Sequence, residues 1–599
     1  LRSVLIPEVS VFNSNLVIIK NFKTMKKKNI LFQTAVVACL LFGTGINMSS
    51  CIEQTFPKSS TAISEQIAES PAAMNAMLNA VVGFVNAYNT YGQGYTWDLG
   101  YTSYGIIREV MCEDFYIYKS GYDYYNSFGL CRSLADNSEV NSIYYYYYKF
   151  LNNVNNLIRI VDLDNTTETN RQYVGIAKAF RAMIYMDMAR LFEFKKTGFS
   201  KLDDEAATNG VYGLTVPIIG ENITEAEARN NPRVPFYTIY RYILDDLENA
   251  EVLLADYLRP TKNMPDLSII FALKARFWLE LGTRFEKYSN DLAALIQNVD
   301  LDIDSDKDCY IKAADCARQA IVKSGAAPLT ELEWYGGKDY FTAFNSIQTS
   351  AWMWGGIMNK ENIHSVWLNL AGHLCTEQTF GVGGISYGAH RMISKVLFEQ
   401  ISDDDWRKET WIAPEDAGKA PGTKYHTLFT DENFKKVPAY VHLKFKPKEG
   451  NMIDANVGAP IDNLLMRVEE MYFIEAEAIA ASQGVSAGIS ALENFMKTYR
   501  YSSYQCTAST MEDFRKELIL QKRIEFWGEG IIYWDYKRLE LPVTRGYLGT
   551  NCPVGYRMNS KEGYCCPWFN LFFSKFESIN NQAIILNPDP SAIVEDWTE

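Results

Sequence analysis

The stretch LILQKRIEFWGEGIIYWDYKRL, Leu518 to Leu539, crowds charge, aromatic rings and glycine into one helical phrase. Its apolar residues recur at helical spacing, and with the six residues before it (from Glu512) it predicts one long helix followed by a shorter one. Arg523 and Glu529, and Asp535 and Arg538, are opposite charges at helical or near-helical distance. Such pairs suit ion pairs between packed helices, and a structural role is the reading they favour over a catalytic one.

Working outward, the same period appears at Tyr173–Phe192, Val234–Leu254, Asp266–Phe285, Cys309–Gly325, Leu464–Ser482 and Val485–Arg500. Pro235 sits near one helix start and Gly325 closes another, as each residue prefers. Helix pairs with alanine-rich faces point to helix–turn–helix repeats of the TPR kind, spaced too irregularly for a plain array. The stretch from about 330 to 462 differs. It has Gly-Gly pairs, many tryptophans and few helical runs, and "AWMWGGI" and "SVWLNL" read as short strands or buried loops.

The first methionine, Met25, opens "MKKKNILFQTAVVACLLFGTGINMSSC". Three lysines, an apolar stretch and two small residues before Cys51 have the form of a secretory signal. Residues 1–24 are then expected to be an upstream extension, 25–50 a lipoprotein signal peptide, and 51–70 a polar tether lipidated at Cys51. Beyond Cys39 and Cys51 nine cysteines remain, irregularly spaced and without a C-x-x-C, so neither a redox motif nor a zinc knuckle is read. A disulfide within Cys552–Cys566 is compatible with export. The net charge of −14 argues against nucleic-acid binding through a phosphate-neutralising field.

Five stretches in order carry a resemblance to the SusD/RagB family, surface lipoproteins of Bacteroidetes that deliver nutrients to a SusC-like TonB-dependent transporter. They are Cys51 followed by Pro57; "YYYYYKFLNNVNNLI" with "AKAFRAMIYMDMARLF" and "GLTVPII"; "RNNPRVPFYTIYRYILDDLENAEVLL" leading into "ALKARFWLEL"; "DNLLMRVEEMYFIEAEA"; and the opening stretch, similar to the family's R-x-x-E-x-x-x-E-G-x-x-x-x-D-x-x-R at Arg523, Glu529, Gly530, Asp535 and Arg538. Glu525 lies one residue off the usual register, and Met471 replaces a commoner leucine. The resemblance covers essentially all of the mature chain. It implies a mostly α SusD-like fold over 71–599, with four TPR-like helix pairs mainly in 140–330 and 460–540. An irregular ligand-binding half with short strands is expected mainly in 71–140 and 330–460. It implies glycan binding without catalysis, no cofactor, an outer-membrane lipid anchor exposed at the cell surface, and a SusC-like partner. Alternatives are a peptide-binding RagB-like member, a secreted glycoside hydrolase and a protein-binding scaffold.

Five consecutive tyrosines, Tyr144–Tyr148, cannot share one helix face, because successive residues turn by about 100°. In the family's register Tyr144, Tyr148, Leu151, Asn155 and Ile158 form a packing seam, leaving Tyr145, Tyr146 and Tyr147 to neighbouring helices or solvent.

Other motifs are weaker. "GVSAG" matches a nucleophile elbow, but an alanine-rich helix precedes it and no histidine follows, so Ser486 reads as a helix–helix turn. Asp300, Asp302, Asp304, Asp306 and Asp308 alternate like a calcium loop but lack its glycine and its final glutamate; a solvated acidic loop is favoured, with calcium the alternative. The five histidines show no ligand spacing. Sugar recognition needs flat apolar rings beside fixed polar groups. The gly-interleaved aromatic segments supply both, and the candidate contacts are Tyr95, Trp97, Tyr122, Tyr125, Asn126, Arg132, Trp334, Tyr335, Trp352 and Trp354.

Overall fold

The computed structural model describes residues 64–92, 97–119, 125, 138–336, 344–363, 365, 368–593 and 597. The signal segment, Cys51, Tyr95, Tyr122, Asn126 and Arg132 lie outside them.

The principal elements, in chain order, are α1 (Pro71–Gly83), α2 (Tyr101–Met111), β1 (Phe115–Ile117), α3 (Ser138–Ile160), α4 (Glu168–Phe192), α5 (Phe236–Leu253), α6 (Leu267–Lys287), α7 (Asp306–Ser324), β2 (Trp352–Gly356), β3 (Arg391–Ile393), β4 (Asn463–Arg467), α8 (Val468–Gln483), α9 (Val485–Tyr499), α10 (Met511–Glu525), α11 (Ile532–Leu539) and α12 (Lys575–Asn580). Local chemistry fixes their ends. The Thr167 side chain accepts from Asn170 N–H to start α4, and Asp266 accepts from Ser268 N–H to start α6. Ser305 caps α7, which closes on Gly325 in the left-handed region. Gly484, at φ 108°, makes the tight turn between α8 and α9 and leaves Ser486 in the first turn of a helix.

From α3 to α9 each helix packs on the next, and α10 closes against α8 and α9. Helix α4 lies inside this row. Ala177, Ala179, Ala182 and Ala189 are buried, and their small side chains let α3 and α5 approach it from opposite sides. Two departures from the sequence reading stand out. Within residues 71–140, assigned to the irregular ligand-binding half, lie α1 and α2. The helix expected from Leu464 begins only at Val468, because Asn463–Arg467 pairs with β2 as an antiparallel strand, Trp352 opposite Arg467 and Gly356 opposite Asn463. A second two-stranded sheet pairs Phe115 with Ile393 and Ile117 with Arg391.

The tyrosine run sits at the start of α3. Tyr144, Tyr146 and Tyr147 are buried, Tyr148 is half-buried and Tyr145 alone is exposed. The Tyr147 hydroxyl donates to Asp187 at 3.1 Å, as does Tyr101 at 2.6 Å, and Asp187 also pairs with Arg190 at 2.7 Å. The Arg190 guanidinium lies 3.9 Å from the centre of the Trp534 ring, which Arg108 also approaches at 4.7 Å.

The charges of the opening stretch are buried and tie the irregular half to the helices. Arg407, Lys444, Arg467 and Arg500 face Asp405, Glu469, Glu525 and Glu529, four cations against four carboxylates, with side chains at most 2% exposed. Glu525 accepts from Arg407 at 2.8 Å, from Arg467 at 2.7 Å and from Arg500 at 2.6 and 2.8 Å. Asp535 pairs with Arg538 as expected, and Arg538 also reaches Glu477 at 2.5 Å. Arg523 does not pair with Glu529; it holds Glu113 at 2.7 Å and Asp114 at 2.6 Å, because a helix break separates the two residues. Helix α10 ends at Glu525, and Gly528, at φ 79°, turns the chain between the two residues; just beyond, Gly530, at φ 74°, sits where a Cβ would come within 2.5 Å of Gly105 Cα.

Candidate ligand-binding site

Six of the sequence-predicted contacts fall among the described residues, and all six are buried. The Trp97 carbonyl accepts from Ser103 Oγ, which also shares a hydrogen bond with the Tyr125 hydroxyl at 2.5 Å. Trp334 Nε1 donates to Thr410 Oγ1 at 2.9 Å, and its ring stands edge-on to Phe344 at 4.8 Å. The Tyr335 hydroxyl donates to the Trp406 carbonyl, and its ring lies stacked against His426 at 4.8 Å. Trp352 and Trp354 face inward from β2, and Trp354 packs on Phe180 at 4.9 Å. Trp97, Tyr125, Trp334, Tyr335, Trp352 and Trp354 are therefore core, not contact surface. In a half with few long helices, large rings fill the space between loops; the polar atoms of Trp334, Trp354, Tyr125 and Tyr335 find partners inside, while Trp352 Nε1 is buried without one among the described residues.

The exposed rings are others. Tyr145 (42% exposed) and Phe576 (54%) flank the half-buried Tyr91. The Tyr91 ring meets Tyr145 edge-on at 5.8 Å and Phe576 at 6.5 Å. The Lys149 ammonium sits 4.5 Å from the Tyr145 ring centre and donates to the Thr90 carbonyl at 2.8 Å. Beneath, Asp98 accepts from Tyr91 N–H at 2.8 Å and from Thr90 Oγ1 at 3.0 Å, which fixes the turn that carries Tyr91. Burial raises the Asp98 pKa, against the opposing pull of these hydrogen bonds. Three elements far apart in sequence thus build one face of rings with a cation at its side. Such a face presents apolar ring surface to the C–H side of a sugar and a donor to its hydroxyls. Sequence reasoning missed it because only the folded chain brings Phe576 and Tyr91 to Tyr145. The available signal was the position of Tyr145 off the α3 seam. Two more exposed tyrosines, Tyr118 and Tyr387, belong to the irregular half; Tyr118 N–H donates to the His390 carbonyl at 2.9 Å beside the β1–β3 sheet.

The acidic run around Asp304 organises a helix start. Asp308 accepts from Ser305 Oγ at 2.8 Å and Asp304 N–H at 3.0 Å, and Asp302 pairs with Lys312 at 3.3 Å. Among the described residues no three His, Cys, Asp or Glu side chains converge as metal ligands. Cys552, Cys565 and Cys566 are buried free thiols, so the disulfide that export would allow in that region is not formed in this structure.

The architecture, a row of paired helices carrying a loop-rich half joined by a buried ion network, is the SusD-like fold. Solved structures place it there directly. A SusD-like carbohydrate binding protein from Bacteroides vulgatus matches with a TM-score of 0.62 at 19% identity, over 86% of this chain and 97% of that one. A SusD superfamily protein from Bacteroides thetaiotaomicron matches at 0.59 and 16% identity, covering 86% and 99% of the two chains. One from Parabacteroides distasonis matches at 0.57 and 15%, covering 86% and 98%. No protein-family model and no curated protein matches the sequence. At these identities the likeness establishes the fold.

Proposed function

We propose that this chain is a SusD/RagB-family lipoprotein of the bacterial outer membrane that binds glycans at the cell surface and passes them, unaltered, to a SusC-like TonB-dependent transporter. The observation that carries this reading is the SusD-like fold shared with a carbohydrate binding protein over 86% of the chain. The exposed Tyr91–Tyr145–Phe576 face supports it with the chemistry that sugar binding requires. Acyl chains on Cys51 would supply the anchor, each buried methylene adding about 0.8 kcal/mol. Affinity comes from ring stacking and hydrogen bonds, with no bond broken in the ligand.

Calorimetry of residues 52–599 against dietary and host oligosaccharides tests the binding role, with chromatography of the recovered ligand. Saturable heat with intact ligand supports it. A panel without binding, or release of shorter sugars, refutes it, the latter in favour of a glycoside hydrolase. Cys51→Ser in the full chain should move the protein out of the membrane fraction.

A further inference from the structure

A groove of ≈ 1310 Å³ lies away from the tyrosine face, between the outer side of α10, the end of α6 and the loop after α11. Its floor is aliphatic, with half-buried Leu520, Leu539, Leu541 and Pro542, and Val396 exposed at its rim. The volume exceeds the roughly 300–1,000 Å³ of a small-molecule pocket. α10 lines it from Met511 to Arg523, a run of roughly 18 Å at ~1.5 Å per residue. An extended chain rising ~3.3 Å per residue would cover that length with about six residues.

The charges of the lining select the occupant. Lys287, Arg515, Lys516 and Arg523 are its cations, and each is already paired: with Glu540 at 3.1 Å, Glu286 at 2.5 Å, Glu512 at 2.6 Å and Glu113 at 2.7 Å. Asp513, Glu517 and Glu562 also line the groove, and no cation of the described residues forms an ion pair with them. Asp513 accepts from Thr510 Oγ1 at 2.7 Å and Glu517 from the Tyr504 hydroxyl at 2.8 Å, both neutral donors. The groove thus offers uncompensated negative charge above an aliphatic floor. It lacks the ring platform of a sugar site: Tyr536 is buried with its hydroxyl donated to Glu113 at 2.7 Å, and Tyr547 is half-buried.

We infer that this groove docks an extended segment of a partner protein in which lysine or arginine alternates with aliphatic residues. Alternation suits an extended chain, since successive side chains point to opposite sides and can meet the floor and the acidic rim in turn. The inference does not rest on the glycan reading; either can fail alone.

The probe is a fluorescein-labelled hexapeptide of alternating lysine and leucine, titrated with residues 52–599 and followed by anisotropy. A hexapeptide of alternating glutamate and leucine is the control. Saturable binding of the lysine peptide is expected, weakening as salt rises. Asp513→Lys with Glu562→Lys should reduce affinity at least tenfold. Because the whole chain carries a charge of −14, the same reversal at the exposed Asp204 and Glu205 of the Ser200–Asn209 helix must leave binding unchanged. Leu520→Asp should abolish it while the circular-dichroism melt stays cooperative. Absence of saturation by 1 mM peptide, equal binding of both peptides, equal loss from the two charge reversals, or displacement by an oligosaccharide that binds the protein would each overturn the inference.

Discussion

Glu525→Gln removes one charge and no volume from the most buried part of the molecule. Glu525 is fully buried and touches three guanidinium groups, those of Arg407, Arg467 and Arg500. The network around it balances four cations with four carboxylates, so the variant leaves one cation uncompensated in a low-dielectric interior. Breaking a buried pair in this way costs about 3–5 kcal/mol. Unfolding entropy is ~2.1 cal/mol/K per residue, or about 1 kcal/mol/K for a chain of this size, so a cooperative melt should drop by about 3–5 °C at pH 7. Glu432→Gln, in an exposed pair with Lys436, should leave the melting temperature in place.

The pH dependence separates charge from packing. Burial alone would raise the Glu525 pKa; Arg500, Arg467 and Arg407 overcome it and hold the carboxyl well below the usual value of 4.5. A folded pKa below the unfolded one gives stability that is complete above about pH 5 and is lost as pH falls from 4.5 toward the folded value. The loss is about 1.4 kcal/mol per pH unit, or about 2 kcal/mol by pH 3. Glutamine has nothing to titrate, so the gap between the two proteins should narrow by about 2 °C between pH 7 and pH 3. Differential scanning calorimetry at both values reads this. A gap under 1 °C at pH 7, or one that does not narrow in acid, would refute the claim that charge balance holds these elements together.

Neighbours in the tyrosine run should behave oppositely. Tyr145→Ala should weaken oligosaccharide binding about tenfold, the equivalent of ~1.4 kcal/mol, with little change in melting temperature, as calorimetry and a thermal melt would read. Tyr146→Ala, which empties a fully buried site packed on Tyr104 at 4.9 Å, should cost about 3–5 kcal/mol and lower the melt. Gly530→Ala should destabilise by more than about 1–2 kcal/mol, because the left-handed backbone strain adds to a backbone clash with Gly105; urea unfolding measures it. His390 is kept neutral by burial, which lowers its pKa from 6.5 to about 4. The unfolded chain therefore binds the extra proton first, stability falls as pH drops from 6.5 to about 4, and His390→Gln should flatten that part of the stability–pH curve.

The helical scaffold was legible because its signals are local. Period, caps and the closing Gly325 specify α4 to α7 within a few residues, and the buried environment then confirms them. Leu464–Arg467 misled because a short apolar run satisfies helix and strand alike, and only pairing with Trp352–Gly356 decides between them. The same limit governs the site. Trp352 and Trp354 looked like ligand rings from composition, yet a ring's composition is identical in a core and on a platform; burial alone distinguishes them, and burial is non-local. The Tyr91–Tyr145–Phe576 face lies beyond sequence reasoning for the same reason, since it joins residues more than 400 positions apart. Arg523 and Glu529 show the limit for charges. Spacing made them partners, but α10 ends at Glu525 and the turn at Gly528 sends Glu529 to Arg467 and Lys444 and leaves Arg523 to Glu113 and Asp114. What the spacing did convey was that these charges are internal, and that part was physical: opposite charges repeated on apolar helices need each other once the helices pack.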